Sequence, residues 1–171
     1  MKVREFSSKD VVTVEPLATL REASIVMRNY HVGSLVVVER DGESVRAVGI
    51  ITDRDIIVAA IAVPGVRPEG IRVCDAMSKR LAVAREDDGV FEAVQTMREH
   101  GVRRLPVVAP DGTLRGMVTA DDLQRVVSTE MANLAAALKK GTEREVMECD
   151  VLDVLSNRGS HLVRPAQESK Q

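Results

Sequence analysis

The chain repeats itself: moved along by 70 positions, Val3 to Val38 falls on Val73 to Val108 without a gap. The superposed pairs include Val3/Val73, Ser8/Ser78, Lys9/Lys79, Glu22/Glu92, Ala23/Ala93, Met27/Met97, Val32/Val102, Leu35/Leu105 and Val37/Val107. After a turn three residues shorter in the second copy the offset becomes 67, and Gly49/Gly116, Thr52/Thr119 and Asp55/Asp122 follow. A period of this kind restricts the fold strongly, because a small unit that cannot bury its apolar face alone has to stack on its copy. With 171 residues and 44% hydrophobic content, the chain has material for one compact domain or two small units sharing a core.

Each copy reads as the same element order. A helix comes first, with an apolar stripe of Leu20, Ala23, Met27 and Tyr30 in copy one and Val90, Ala93, Val94 and Met97 in copy two. Thr19 and Glu22 form a capping box for the first, and the second begins near Asp87-Asp88-Gly89. Short apolar runs, Leu35 to Val38 and Leu105 to Val108, have the length and β-branching of buried strands. Asp41-Gly42 and Pro110-Asp111-Gly112 turn them into the returning strands Ala47 to Ile51 and Leu114 to Val118. A second helix starts at Thr52 or Thr119. Two such units packed sheet to sheet predict a pseudo-twofold axis, with Ala62 to Arg72, rich in Pro and Gly, as the linker.

The junctions Gly49-Ile50-Ile51-Thr52-Asp53-Arg54-Asp55 and Gly116-Met117-Val118-Thr119-Ala120-Asp121-Asp122 both fit G-h-h-T-x-x-D. T-x-x-D entering a helix is a capping box in its own right. The same geometry also lets Asp55 and Asp122 accept hydrogen bonds from a ribose diol while the Thr hydroxyls and the helix starts meet phosphate oxygens. The pattern by itself leaves both readings open.

The duplicated pattern resembles a tandem pair of cystathionine-β-synthase (CBS) domains, a Bateman module, over residues 1 to about 128. The resemblance rests on Val11-Val12-Thr13-Val14 and Leu81-Ala82-Val83-Ala84 as opening strands, the Glu-Ala-x-x-x-Met-Arg helices, the apolar middle strands and both G-h-h-T-x-x-D junctions. It implies two βαββα units, a mixed α/β (α+β) fold, around a cleft that takes AMP, ADP, ATP, NAD or S-adenosylmethionine. It further implies that Asp55 and Asp122 hold ribose, that Thr52 and Thr119 approach phosphate, and that Thr13, Val14 and Val36 in one copy and Val83, Ala84 and Pro106 in the other line the adenine slots. Copy two has Val83 where copy one has Thr13, making its slot more apolar.

Arg54, between Thr52 and Asp55, is a candidate phosphate contact or an exposed helix arginine. Arg103 and Arg104 replace Gly33 and Ser34 at the start of the middle strand, so an anion site there is asymmetric. His31, His100 and His161 have no acid or nucleophile at a diagnostic spacing, and His31 and His100 suit helix C-termini. Cys74 reads as a small buried hydrophobe. A formal net charge of −2 and only one Tyr and two Phe argue against nucleic-acid binding. Two distant cysteines offer neither a disulfide framework nor a zinc cage. An immediately charged N-terminus and the lack of any run near the roughly 20 apolar residues that span a bilayer predict a cytoplasmic protein with no membrane segment.

Past copy two, Leu123, Val127, Met131, Leu134 and Leu138 form a coiled-coil-like seam, which packs back onto its own module or against a second copy, on a helix expected to end at Gly141, and Thr142 with Glu145 would cap another to about Leu155. The expected organisation is repeat one at 1–63, linker at 64–72, repeat two at 73–128, a helical extension at 129–155 and a mobile polar tail at 156–171. Two functional readings follow. One is a non-catalytic adenosine-ligand sensor, homodimeric through the seam, with no required cofactor and read by a protein partner. The other is a ligand-free structural or dimerisation module whose T-x-x-D sequences only cap helices.

Overall fold

The computed structural model describes residues 1–42 and 44–159, with side chains to residue 144. The chain divides into two compact units, Met1–Val126 and Val127–Gln171. In the first, helix α1 (Val3–Phe6) leads to strand β1 (Thr13–Val14), helix α2 (Leu20–Tyr30), strands β2 (Ser34–Asp41) and β3 (Ser44–Thr52), and helix α3 (Asp53–Ile56), which widens into a π-turn at Ile57–Ile61. The order then recurs as α4 (Val73–Ala76), β4 (Ala84–Arg85), α5 (Val90–His100), β5 (Arg104–Val108), β6 (Leu114–Thr119) and α6 (Ala120–Gly159). The sheets run β1-β2-β3 and β4-β5-β6, each with one parallel and one antiparallel pairing. The register shifts once in each hairpin, between Val37 and Val38 and between Val107 and Val108, so even the bulges are duplicated.

The caps explain where the helices begin. Glu22 has its carboxylate on the Thr19 backbone N–H at 2.7 Å, while Thr19 Oγ1 accepts from the Glu22 N–H at 3.1 Å. The Thr19 backbone hydrogen bond, helped by that of its hydroxyl, holds the Glu22 carboxyl below its usual range. In copy two Gly89 takes the place of Thr19, and only the Glu92 half of the box forms through a side chain. At the other end His31 adopts φ 53°, where copy two has Gly101 at φ 65°. The glycine does this without the steric cost that the histidine bears.

Each sheet buries its apolar face under its own helix, but each core is completed by the other copy. Val3, fully buried, belongs to the cluster of Ala84, Ala93, Leu105 and Val118, whereas Val73 belongs to that of Leu20, Leu35 and Ile51. The short arms α1 and α4 are exchanged. Val3 N–H donates to Asp88 O and Val73 N–H to Ala18 O, both at 2.8 Å, and these pairs are 70 residues apart. Full burial of a Leu or Ile contributes about 1.5–3 kcal/mol, so burying Val3 ties the copies as firmly as a core contact. Exchange recurs at the sheet edges, where Ser8 pairs with Met117 and Ser78 with Ile50. Arg46 pairs with its own equivalent, Thr113, which puts that contact on the pseudo-twofold axis.

Several sequence expectations need correction. The opening strands are Thr13–Val14 and Ala84–Arg85, shorter than the expected Val11–Val14 and Leu81–Ala84, and ahead of them Ser8 and Ser78 pair with the opposite copy. Tyr30 and Val94 are exposed at 65% and 43%. On α2 the buried stripe stops at Met27, and Val94 stands about 40° to the side of the Val90–Met97 line at 100° per residue. Cys74 is only partly buried. Leu123 is not on a free seam but in the core of repeat two. Gly141 does not end a helix: α6 runs through it to Gly159, because Gly141 is not among the glycines with the positive φ a C-cap needs. Thr142 Oγ1 donates to Leu138 O at 3.2 Å instead of capping a new helix. In the second unit Met131, Leu134 and Leu138 are exposed. Of the tail expected at 156–171, residues 160–171 lie outside the described residues.

Candidate functional site

The two G-h-h-T-x-x-D junctions fold identically. Gly49 and Gly116 come first because the opposite copy's backbone passes directly over them. A Cβ on Gly116 would stand 2.6 Å from Ser8 O, and one on Gly49 2.5 Å from Met77 Sδ and 3.1 Å from Ser78 O. The strand then ends at a Thr whose backbone N–H and hydroxyl both donate to the Asp three residues on. For Thr52 and Asp55 both distances are 2.8 Å; for Thr119 and Asp122 they are 3.0 and 2.6 Å. In each pair the Thr oxygen accepts from the Asp backbone N–H. The capping-box reading of the motif is therefore realised. It uses only Oδ2 of each aspartate, which leaves Oδ1 of Asp55 open to a second role, while Oδ1 of Asp122 accepts from Arg125 at 2.6 Å.

Both corners open onto clefts between the repeats. The Thr52 cleft, about 410 Å³, has Ile50, Thr52, Asp53, Arg54 and Asp55 on one wall and Ser78 with Gly101 to Arg104 on the other. The Thr119 cleft, about 300 Å³, sets Met117, Thr119 and Asp122 against Ser8, Asp10, Val11, Val12 and His31 to Ser34. The walls correspond pair by pair at offsets of 70 and 67: Ser8/Ser78, Val32/Val102, Ile50/Met117, Thr52/Thr119 and Asp55/Asp122. These volumes lie in the lower part of the range of small-molecule sites, about 300–1,000 Å³.

Of the expected site residues, Thr52, Arg54, Asp55, Arg103 and Arg104 share the first cleft, and Thr119, Asp122 and again Arg104 the second. Thr13, Val14, Val36, Val83, Ala84 and Pro106 line neither. Val14, Val36, Ala84 and Pro106 are buried, and Thr13 and Val83 are half-buried. Sequence reading missed Ser8, Ser78, Asp10, Val11, Val12, Val32 and Val102. The paired repetition of Ser8/Ser78 and Val32/Val102 is the signal that could have found them. Their place was hidden because each lines the cleft of the other copy's corner. Among the described residues no cluster of His, Cys, Asp and Glu could hold a metal ion, and no helix is long and apolar enough to cross a membrane.

A fold of two exchanged sheet-and-helix repeats with a Thr–Asp corner in each interrepeat cleft defines a class of paired modules. The CBS domain family model matches residues 3–62 and 73–129, and the chain belongs to that family. An uncharacterized protein of Methanopyrus kandleri is 35% identical over 143 residues, 84% of this chain and 71% of the relative. An uncharacterized protein of Bacillus subtilis is 34% identical over 146 residues, 84% of this chain and 95% of the relative. Among solved structures, a CBS domain pair in complex with 5′-methylthioadenosine and S-adenosyl-L-methionine superposes with a TM-score of 0.63 at 25% identity, over 76% of this chain and 98% of that one.

Proposed function

We propose that this chain is a non-catalytic, cytoplasmic regulatory module that senses an adenosine-containing ligand in the clefts between its repeats, the class spanning AMP, ADP, ATP, NAD and S-adenosylmethionine. The observation that carries the reading is that each Thr–Asp corner faces a wall supplied by the opposite repeat. A ligand held there touches both repeats, so it favours the arrangement in which both contacts are made, by its differential affinity for that arrangement. Asp55 takes the ribose through Oδ1 and Asp122 does so where the ribose displaces or shares the Arg125 hydrogen bond, Thr52 and Thr119 approach the phosphate, and Arg54, Arg103 and Arg104 answer its charge. The adenine slots are at Thr13, Val14 and Val36 and at Val83, Ala84 and Pro106. Since most of these are buried, admitting the base displaces what covers them, and that movement is what a protein partner reads. The solved CBS pair carrying methylthioadenosine and S-adenosylmethionine supports the ligand class.

A second reading, a structural module that dimerises through the exposed Met131, Leu134 and Leu138 stripe, is favoured by the completeness of the capping boxes. Thermal shift with the five compounds separates the two. Ligand at about 100 times its Kd stabilises by about 2.7 kcal/mol, and Asp55→Ala and Asp122→Ala lower affinity in addition to the roughly 0.5–2 kcal/mol of a lost cap. No shift with any of the five overturns the sensor in favour of the scaffold, and sedimentation then reports the dimer.

A further inference from the structure

The clefts correspond in backbone but not in charge, and this bears on which ligand each one takes, given that both are ligand sites as proposed above. Arg54, Arg103 and Arg104 line the Thr52 cleft together with Asp53 and Asp55. Arg104 is the one arginine lining the Thr119 cleft, which also has Asp10, Asp122 and His31 in its wall. The imbalance arises at equivalent positions, where Arg103 and Arg104 stand for Gly33 and Ser34 and Arg54 stands for Asp121.

Arg104 is the one cationic side chain, among the described residues, that borders both clefts. It opens β5 directly opposite Thr119 in the β5–β6 ladder, which accounts for its place at the Thr119 corner, while its side chain also reaches the wall facing Thr52. Among the described residues none of Arg54, Arg103 and Arg104 spends its side chain on a protein acceptor, so all three are available to an anion. The two carboxylates of the Thr52 corner are partly occupied, Asp53 by the Arg54 backbone N–H at 2.8 Å and Asp55 by Thr52. At the other corner Asp122 Oδ1 is taken by Arg125 at 2.6 Å, leaving that cleft less able to grip a ribose and a phosphate together.

We propose that the two clefts compete for Arg104. A phosphate-bearing ligand in the Thr52 cleft draws the guanidinium to itself and leaves the Thr119 cleft, lined by Asp10 and the Arg125-paired Asp122, with no arginine at its wall; that cleft then rejects a second polyanion and takes an uncharged or cationic adenosine compound. The competition makes the module respond to the ratio of two ligands and not to one alone.

The test is calorimetric titration of the full chain with ATP, with uncharged 5′-methylthioadenosine and with inorganic tripolyphosphate. Wild type binds one ATP strongly and a second at least about tenfold more weakly, and the ATP-saturated protein still binds one methylthioadenosine. Arg104→Ser, which installs the residue of the equivalent position, weakens both ATP events, the stronger by about ten- to a hundredfold, the worth of one charge-assisted hydrogen bond. Arg54→Ala with Arg103→Ala weakens the strong event and strengthens the weak one several-fold by releasing Arg104. All three side chains are exposed, so the variants retain the fold. Two equal, independent ATP events, or an Arg104→Ser that weakens only one of them, overturn the competition while leaving the sensor reading intact. Tripolyphosphate showing the same pattern while no adenosine compound binds keeps the competition and removes the adenosine reading. Binding of neither ATP nor tripolyphosphate removes the competition, and the sensor reading then stands or falls separately on the thermal shift with the five adenosine compounds.

Discussion

Single residues carry the crossing of the two repeats. At Gly116 a methyl group would meet a backbone carbonyl, Ser8 O, which cannot move without breaking the Ser8–Met117 pairing. At Gly49 the nearest atom is the mobile end of Met77. Gly116→Ala is therefore expected to cost about 1–3 kcal/mol, in the range of overpacking, and Gly49→Ala less, as read by urea midpoints of the two variants. Equal effects would mean that Met77 is as fixed as the backbone. The glycines were visible in the sequence as a repeated pair, yet their reason was not, because the atoms that exclude a side chain come from the other copy, 28 residues or more away along the chain. The Thr–Asp corners were legible in full, because a capping box closes within four residues.

Among elements, the exchanged arm and the long helix each make a prediction. Lys2 Nζ and Arg4 donate to Asp87 Oδ1 at 2.8 and 2.7 Å, and the Lys2 hydrogen bond holds the Asp87 carboxyl below its usual range. A carboxyl depressed by folding stabilises above its unfolded pKa of about 4, and the contribution disappears as pH falls through the lower folded value. The melting temperature of wild type should exceed that of Asp87→Asn by a constant margin above about pH 5, a margin that shrinks as the pH falls below the unfolded pKa of about 4. Curves that stay parallel down to pH 2 would show the arm to be held by Val3 alone. In α6, Gly141 sits mid-helix with open space where a Cβ would go. Gly141→Ala should accordingly add up to about 1 kcal/mol of helix stability, seen as higher ellipticity and a later thermal transition. A helix broken there would gain nothing. The sequence reading placed a helix end at this glycine because Gly favours C-caps, but an exposed glycine with no αL turn and no following proline simply continues the helix.

For the whole molecule, the exchange of Val3 and Val73 makes neither repeat complete alone. A unit of about 60 residues is marginal even with its full core, and residues 1–63 lack the buried Val73. That fragment should show no cooperative thermal transition by circular dichroism, whereas the full chain does, and adding a peptide covering residues 71–79 should restore part of it. A cooperative transition of 1–63 alone would show the arm to be decoration.

The repeat unit, its order of strands and helices, the corner chemistry and the charge difference at residues 103 and 104 are all readable from local periodicity and from comparison of one copy with the other. Which copy each arm completes, which wall faces which corner, and that Arg104 borders two clefts emerge from the packing alone. Those relations depend on how the two units pack about their axis, and contacts between distant residues leave no trace in local pattern.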